Sequence, residues 1–151
     1  MERESRNIYK IARKTAGYTQ ERWAEAVGVS VESVRNYEAG TQTPSEEIVK
    51  AMCEISGLTQ LSYWHLCQKS SLAAEILPEV ETVPLPQAVC AMSSSIRNFV
   101  RNERDARLLD MAADGKIDEM ERQEFDEIVN ELRYIVKAAM QLWYAERGES
   151  L

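Results

Sequence analysis

Apolar residues recur every three to four positions through most of the chain, and their runs are broken by glycines early and by prolines near the middle. That spacing predicts helices throughout and no strand. Five short helical runs come first, over about 5–16, 20–27, 31–38, 46–56 and 60–76, with Thr19, Ser30 and Ser45 as N-cap residues and Gly17, Gly28, Gly40 and Gly57 as stops. Pro78, Pro84 and Pro86 in "LPEVETVPLPQ" favour extended backbone before each ring and mark a linker over 77–86. Two longer helical runs follow, about 87–112 and 118–146, joined by "ADGKID". The pattern predicts an all-α chain with a domain over 1–76, the Pro-rich linker, and a helical hairpin over 87–151.

Within the first part, Trp23, Ala24 and Val27 fall on one face of the 20–27 helix, and Val34 and Tyr37 on one face of the 31–38 helix. Each stripe is too narrow to fold alone, so the two helices must pack on each other and on neighbours. Ala24 permits close approach, and Gly28 supplies the positive φ that turns the chain within the three residues "GVS". The geometry is that of a helix-turn-helix, which many helical proteins share.

The stretch "TQERWAEAVGVSVESVRNYEAGTQTPSEEIVKAMCEISG" narrows this choice, because it combines Thr19-Gln20, Ala24, the turn Gly28-Val29-Ser30, Val34, Tyr37-Glu38, Gly40 and Pro44 at fixed spacings. In these features, over roughly Ile8 to Leu66, the chain closely resembles the Cro-like and phage-repressor-like helix-turn-helix family, also called the xenobiotic-response-element family. The resemblance implies a five-helix lambda-repressor-like bundle whose third helix lies in the major groove of a double-stranded DNA operator. It implies phosphate contacts from Gln20 at a helix start, from Ser30 and Ser33, and from Thr41 and Thr43. Ser30, Val31, Glu32, Ser33, Arg35 and Asn36 are the positions the pattern leaves exposed. Among these, base reading falls to Val31 on a thymine methyl, Glu32 on cytosine N4, Arg35 on guanine or phosphate, and Asn36 on adenine. Ser30 as a plain N-cap and Glu32 as a favourable charge at a helix start are alternative readings of the same residues. The family also implies an ion pair between Arg13 and Glu38 that is architectural.

Between Gly40 and Pro44 many members of that family carry lysine or arginine, whereas this chain has "TQT". Phosphate affinity per monomer is therefore expected to be weak, with dimerisation or cooperativity supplying the remainder. The charge balance bears on the same point. The net charge is −7, which argues against coating nucleic acid by charge alone. Residues 1–66 hold 8 Lys and Arg against 9 Asp and Glu, so of the totals of 18 and 25 the rest of the chain holds 10 against 16. The acidity is C-terminal, and Arg3, Arg6, Lys10, Arg13 and Lys14 gather at the other end, so the two parts are expected to face different partners.

In the acidic part Phe125, Ile128, Leu132, Ile135, Ala139 and Leu142 make a heptad-like seam, and Val89, Met92, Ile96 and Phe99 repeat the rhythm on the preceding run. A hairpin with two such seams has more apolar surface than it can bury, which predicts a homodimer through Phe125, Ile128, Leu132, Ile135 and Leu142, or a protein partner on the same hairpin. Trp143 and Tyr144 extend that interface, dock on the N-terminal bundle or serve a core. The stretch "DMAADGKIDEME" puts Asp110, Asp114, Asp118 and Glu121 at positions 1, 5, 9 and 12 of a calcium-loop pattern, but position 3 is Ala112, which cannot ligate. A plain turn, with Gly115 ending one helix and Asp118 and Glu121 forming a capping box, accounts for the same residues.

No catalytic constellation or cofactor is implied. His65 is the single histidine, on an apolar stretch beside Trp64, and Cys53, Cys67 and Cys90 lack C-x-x-C spacing and are expected as buried reduced thiols. No apolar run is long enough to cross a bilayer, and the charged start "MERESRNIYK" lacks a secretory pattern, so the expected address is the cytoplasm. The leading expectation is a dimeric sequence-specific regulator of the repressor type. The rivals are an interaction module or antirepressor that keeps the fold without specific DNA binding, and a calcium-responsive protein.

Overall fold

The computed structural model describes residues 7–145. Arg3 and Arg6, from the N-terminal basic group, lie outside them. All regular structure among the described residues is helical, and the chain divides into two units between Leu77 and Pro78.

The first unit contains α1 (Ile8–Thr15), α2 (Gln20–Val27), α3 (Val31–Ala39), α4 (Glu46–Ser56), α5 (Gln60–Lys69) and α6 (Ser71–Ile76). Local chemistry sets the helix ends. Thr19, Ser30 and Ser45 accept hydrogen bonds from the backbone N–H groups of Arg22, Ser33 and Ile48, taking up donors that have no partner inside the helix. Asn7 does the same for α1 through Lys10. Gly28 and Gly40 close α2 and α3 in the left-handed conformation, at φ 80° and 75°. A Cβ at either position would meet no neighbouring atom, so a substitution there would strain the backbone alone. The core is built as the sequence pattern requires, with Ala12, Trp23, Ala24, Val34, Met52 and Leu61 at most 2% exposed. Trp23 meets Tyr18 edge-on, with ring centroids 5.9 Å apart.

Two details depart from expectation. The helix expected over 60–76 is broken at Ser70, which takes extended dihedrals and turns its hydroxyl to the N–H of Ala73, so that it ends α5 and caps α6. The cysteines also differ in environment: Cys53 is buried with Sγ 3.0 Å from the Ser62 hydroxyl, Cys67 is half-buried, and Cys90 is exposed.

The second unit contains α7 (Leu85–Arg101), α8 (Arg104–Met111) and α9 (Arg122–Trp143), with α7 packed against α9. The helix expected over 87–112 is two helices, separated at Asn102 and Glu103, where Glu103 has φ 53° and is the one non-glycine residue at positive φ among those described. Arg107 makes a two-pronged pair with Glu124 (2.6 and 3.0 Å), and Arg104 pairs with Glu131 at 2.8 Å. The stretch expected as linker also contributes to this unit: Val80 is buried and α7 starts at Leu85. In the loop before α9, Asp118 accepts hydrogen bonds from the N–H groups of Met120 and Glu121, and Glu121 accepts in return from the N–H of Asp118.

Candidate nucleic-acid interface

Helices α2 and α3 meet across the turn Gly28-Val29-Ser30, where the N–H groups of Gly28 and Val29 both donate to the Ala24 carbonyl. Trp23, Ala24 and Val27 from α2, with Val34 and Tyr37 from α3, are buried. Burying those stripes leaves the opposite face of α3 outward. Glu32 and Arg35 stand on it, 3.9 Å apart and one turn from each other, with about 72% and 56% of their side chains exposed.

Of the other positions that the pattern leaves exposed, Ser30 is open and three are only half-open. Val31 packs partly against the hydrophobic core, and Ser33 and Asn36 are half-buried. Ser33 is engaged with the N-cap Ser30 through both its N–H and its hydroxyl. The carbonyl of Asn36 accepts from the N–H groups of Thr41 and Gln42 and from the Thr41 hydroxyl, so Thr41 is occupied in closing α3. Thr43 is exposed. Of the four expected base readers, the structure therefore sets Glu32 and Arg35 side by side in the open, and holds Val31 and Asn36 partly in the fold.

Beneath this face lies a polar cluster that fixes α3. Glu38 receives the Nε and Nη2 of Arg13 at 2.5 and 3.1 Å and the side-chain amide of Gln20 at 2.9 Å, and Arg13 also donates to the Tyr18 carbonyl. The Arg13 and Glu38 side chains are 13% and 7% exposed. Burial raises the Glu38 carboxyl, but the hydrogen bonds from Arg13 and Gln20 outweigh it and leave the group below its ordinary value. The bond to Glu38 raises Arg13 in turn. Gln20, expected at a phosphate, thus gives its amide N–H to this cluster, because the start of α2 and the end of α3 converge on one carboxylate.

Sequence reasoning passed over two residues here. Asn7 donates its side-chain amide to the Tyr37 carbonyl at 2.8 Å, tying the start of α1 to the last turn of α3. Arg22, in the first turn of α2, lies 5.1 Å from the centroid of the Tyr18 ring, which positions a cation beside the helix start. A Tyr-x-x-x-Arg spacing across a helix N-cap carries no recognisable motif, so nothing in the sequence marks it.

Residues 10–61 match the family model for a helix-turn-helix domain. They form a helix-turn-helix domain. The match covers α2, the turn, α3 and α4, and the C-terminal unit has no family match. No curated protein and no solved structure matches the chain. Such a domain suggests a DNA-binding regulator. No helix among the described residues is long and apolar enough to cross a membrane.

The calcium-loop residues belong to the second unit and are occupied locally. Asp118 and Glu121 bind each other's backbone N–H groups, Asp114 accepts from the N–H of Lys116, and Asp110 lies 3.9 Å from Arg107. Among the described residues no group of three His, Cys, Asp or Glu side chains is placed to hold a metal ion.

Proposed function

We propose that the chain is a sequence-specific transcriptional regulator of the repressor type that reads the major groove with α3 and acts as a dimer. The observation that carries this reading is the pair Glu32 and Arg35, exposed on the α3 face opposite the buried one and adjacent enough to meet neighbouring bases. Arg35 offers a bidentate donor to guanine and Glu32 an acceptor for cytosine N4, each worth about 1–3 kcal/mol of discrimination. Phosphate contacts are few, since "TQT" lacks cations and Gln20 is engaged with Glu38, so two copies on one operator supply affinity that one lacks.

The dimer contact belongs to the C-terminal unit. Its α9 seam is largely consumed inside the unit: Ile128 is fully buried, and Phe125, Leu132, Ile135 and Leu142 are half-buried. The apolar surface left over is on α7, where Leu85, Val89, Ile96 and Val100 are 38–56% exposed at spacings of 4, 7 and 4. That is the rhythm of a helix-packing stripe, and we place the contact between copies there. Selection of bound duplexes from a random pool at several salt concentrations tests the reading. Enrichment of a site with two half-sites about 10 base pairs or a multiple apart supports it. Recovery of no enriched sequence favours the rival, an interaction module on the same fold, which the uncharged 41–43 loop and the occupied Gln20 side chain support.

A further inference from the structure

The outer face of α9 carries a chemistry that DNA reading leaves unused. Arg133 and Lys137 stand four residues apart, one turn above the other, with Asn130 and Tyr134 beside them. With Pro78 these four side chains line an open groove of about 520 Å³, within the range of small-ligand clefts. Tyr134, 70% exposed, is shared with a second groove of about 270 Å³ that Ser95, Asn98, Asn102 and Glu131 complete.

The charge on this face is out of keeping with its surroundings. Residues 67–151 hold more acids than bases, and Arg104 and Arg107 are matched to Glu131 and Glu124. No carboxylate among the described residues lies within ion-pair distance of Arg133 or Lys137. Two neighbouring cations without a counter-charge can hold an anion, and a guanidinium fits a phosphate or carboxylate by two parallel hydrogen bonds. An exposed tyrosine ring next to them offers a surface for a flat ring. The side-chain amides of Asn98, Asn102 and Asn130 each present a donor and an acceptor, which suits the polar edge of a heterocycle.

We propose that this face binds a nucleoside monophosphate, with the phosphate on Arg133 and Lys137 and the base stacked on Tyr134. A single phosphate is enough for the two cations, which lie one helical turn apart. The site is independent of α3 and stands whether or not the chain reads DNA.

The test is titration calorimetry on the full chain with AMP, GMP, CMP and UMP, with adenosine, inorganic phosphate and an oligothymidylate as comparisons. Saturable binding of at least one monophosphate is expected, at least about tenfold tighter than adenosine or phosphate alone. Arg133→Gln with Lys137→Gln should weaken it by about tenfold or more, as should Tyr134→Ala, whereas Tyr134→Phe should keep it because the ring does the stacking. These side chains line open grooves, so melting temperature should hold in every variant. The proposal is overturned by no saturable binding of any monophosphate, by phosphate alone binding as well as the nucleotide, or by binding undiminished in the variants. An oligothymidylate bound more tightly than every monophosphate overturns it too and assigns the face to single strands.

Discussion

Glu38 collects three hydrogen bonds on two oxygens, and through them α1, α2 and α3 are held on a single carboxylate. Removing one partner of such a buried pair leaves the other charged and unmatched, at a cost of about 3–5 kcal/mol. Arg13→Ala should therefore abolish DNA binding by unfolding the first unit, which loss of helical circular dichroism at ordinary temperature would show directly. The pH dependence follows from the direction of the shift. Glu38 is depressed in the folded state, so its contribution is complete above the carboxylate's unfolded value, about 4.3, and is lost as pH falls through the folded value. His65 behaves in the same sense for a different reason. Its ring is buried, with Nδ1 2.9 Å from the Tyr9 hydroxyl and Nε2 without a partner among the described residues, and burial lowers it below the ordinary histidine value. The unfolded chain therefore binds a proton that the folded chain does not, and stability should fall as pH drops below about 6.5. Denaturant midpoints between pH 7 and 5 should slope in the parent and flatten in His65→Phe; an unchanged slope would sink this account of the ring.

At the scale of elements, the helices were legible wherever a cap or stop is a single residue with one dominant role. Ser30, Ser45 and Thr19 begin helices and Gly28, Gly40 and Gly57 end them, as the pattern requires. The two missed breaks lack such residues. Ser70 sits in "KSS", which suits a helix surface as well as a cap, and Asn102-Glu103 has neither glycine nor proline. Glu103 adopts φ 53° without the residue type that makes this cheap, so Glu103→Gly should raise stability by about 0.5–1 kcal/mol, read as a higher melting temperature. The converse applies at Gly28, where alanine should cost about 1–2 kcal/mol through backbone strain alone. The interface was less legible than the helices. Glu32 and Arg35 followed from helical periodicity, but Gln20 turns to Glu38 because two elements converge in space, and no local pattern records that approach.

For the whole molecule, the exposed α7 stripe makes self-association the testable property. Sedimentation of the full chain at tens of micromolar, about the range where a weak functional dimer still shows, should give a dimer. Val89→Glu with Ile96→Glu should give a folded monomer, since both side chains are already 44–45% open. The monomer should bind an isolated half-site as before and lose most of its affinity for the full operator. A parent that sediments as a monomer rules out the α7 contact.

The boundary between Leu77 and Pro78 has a consequence for descent. Each side of it closes its own contacts, and the family match stops at residue 61. A recombination event at that peptide bond would leave each unit's internal contacts whole, so the first unit can be joined to other segments and still carry the contacts that fold it. Selection can then act on the two units as separate traits, inherited together only because one reading frame joins them.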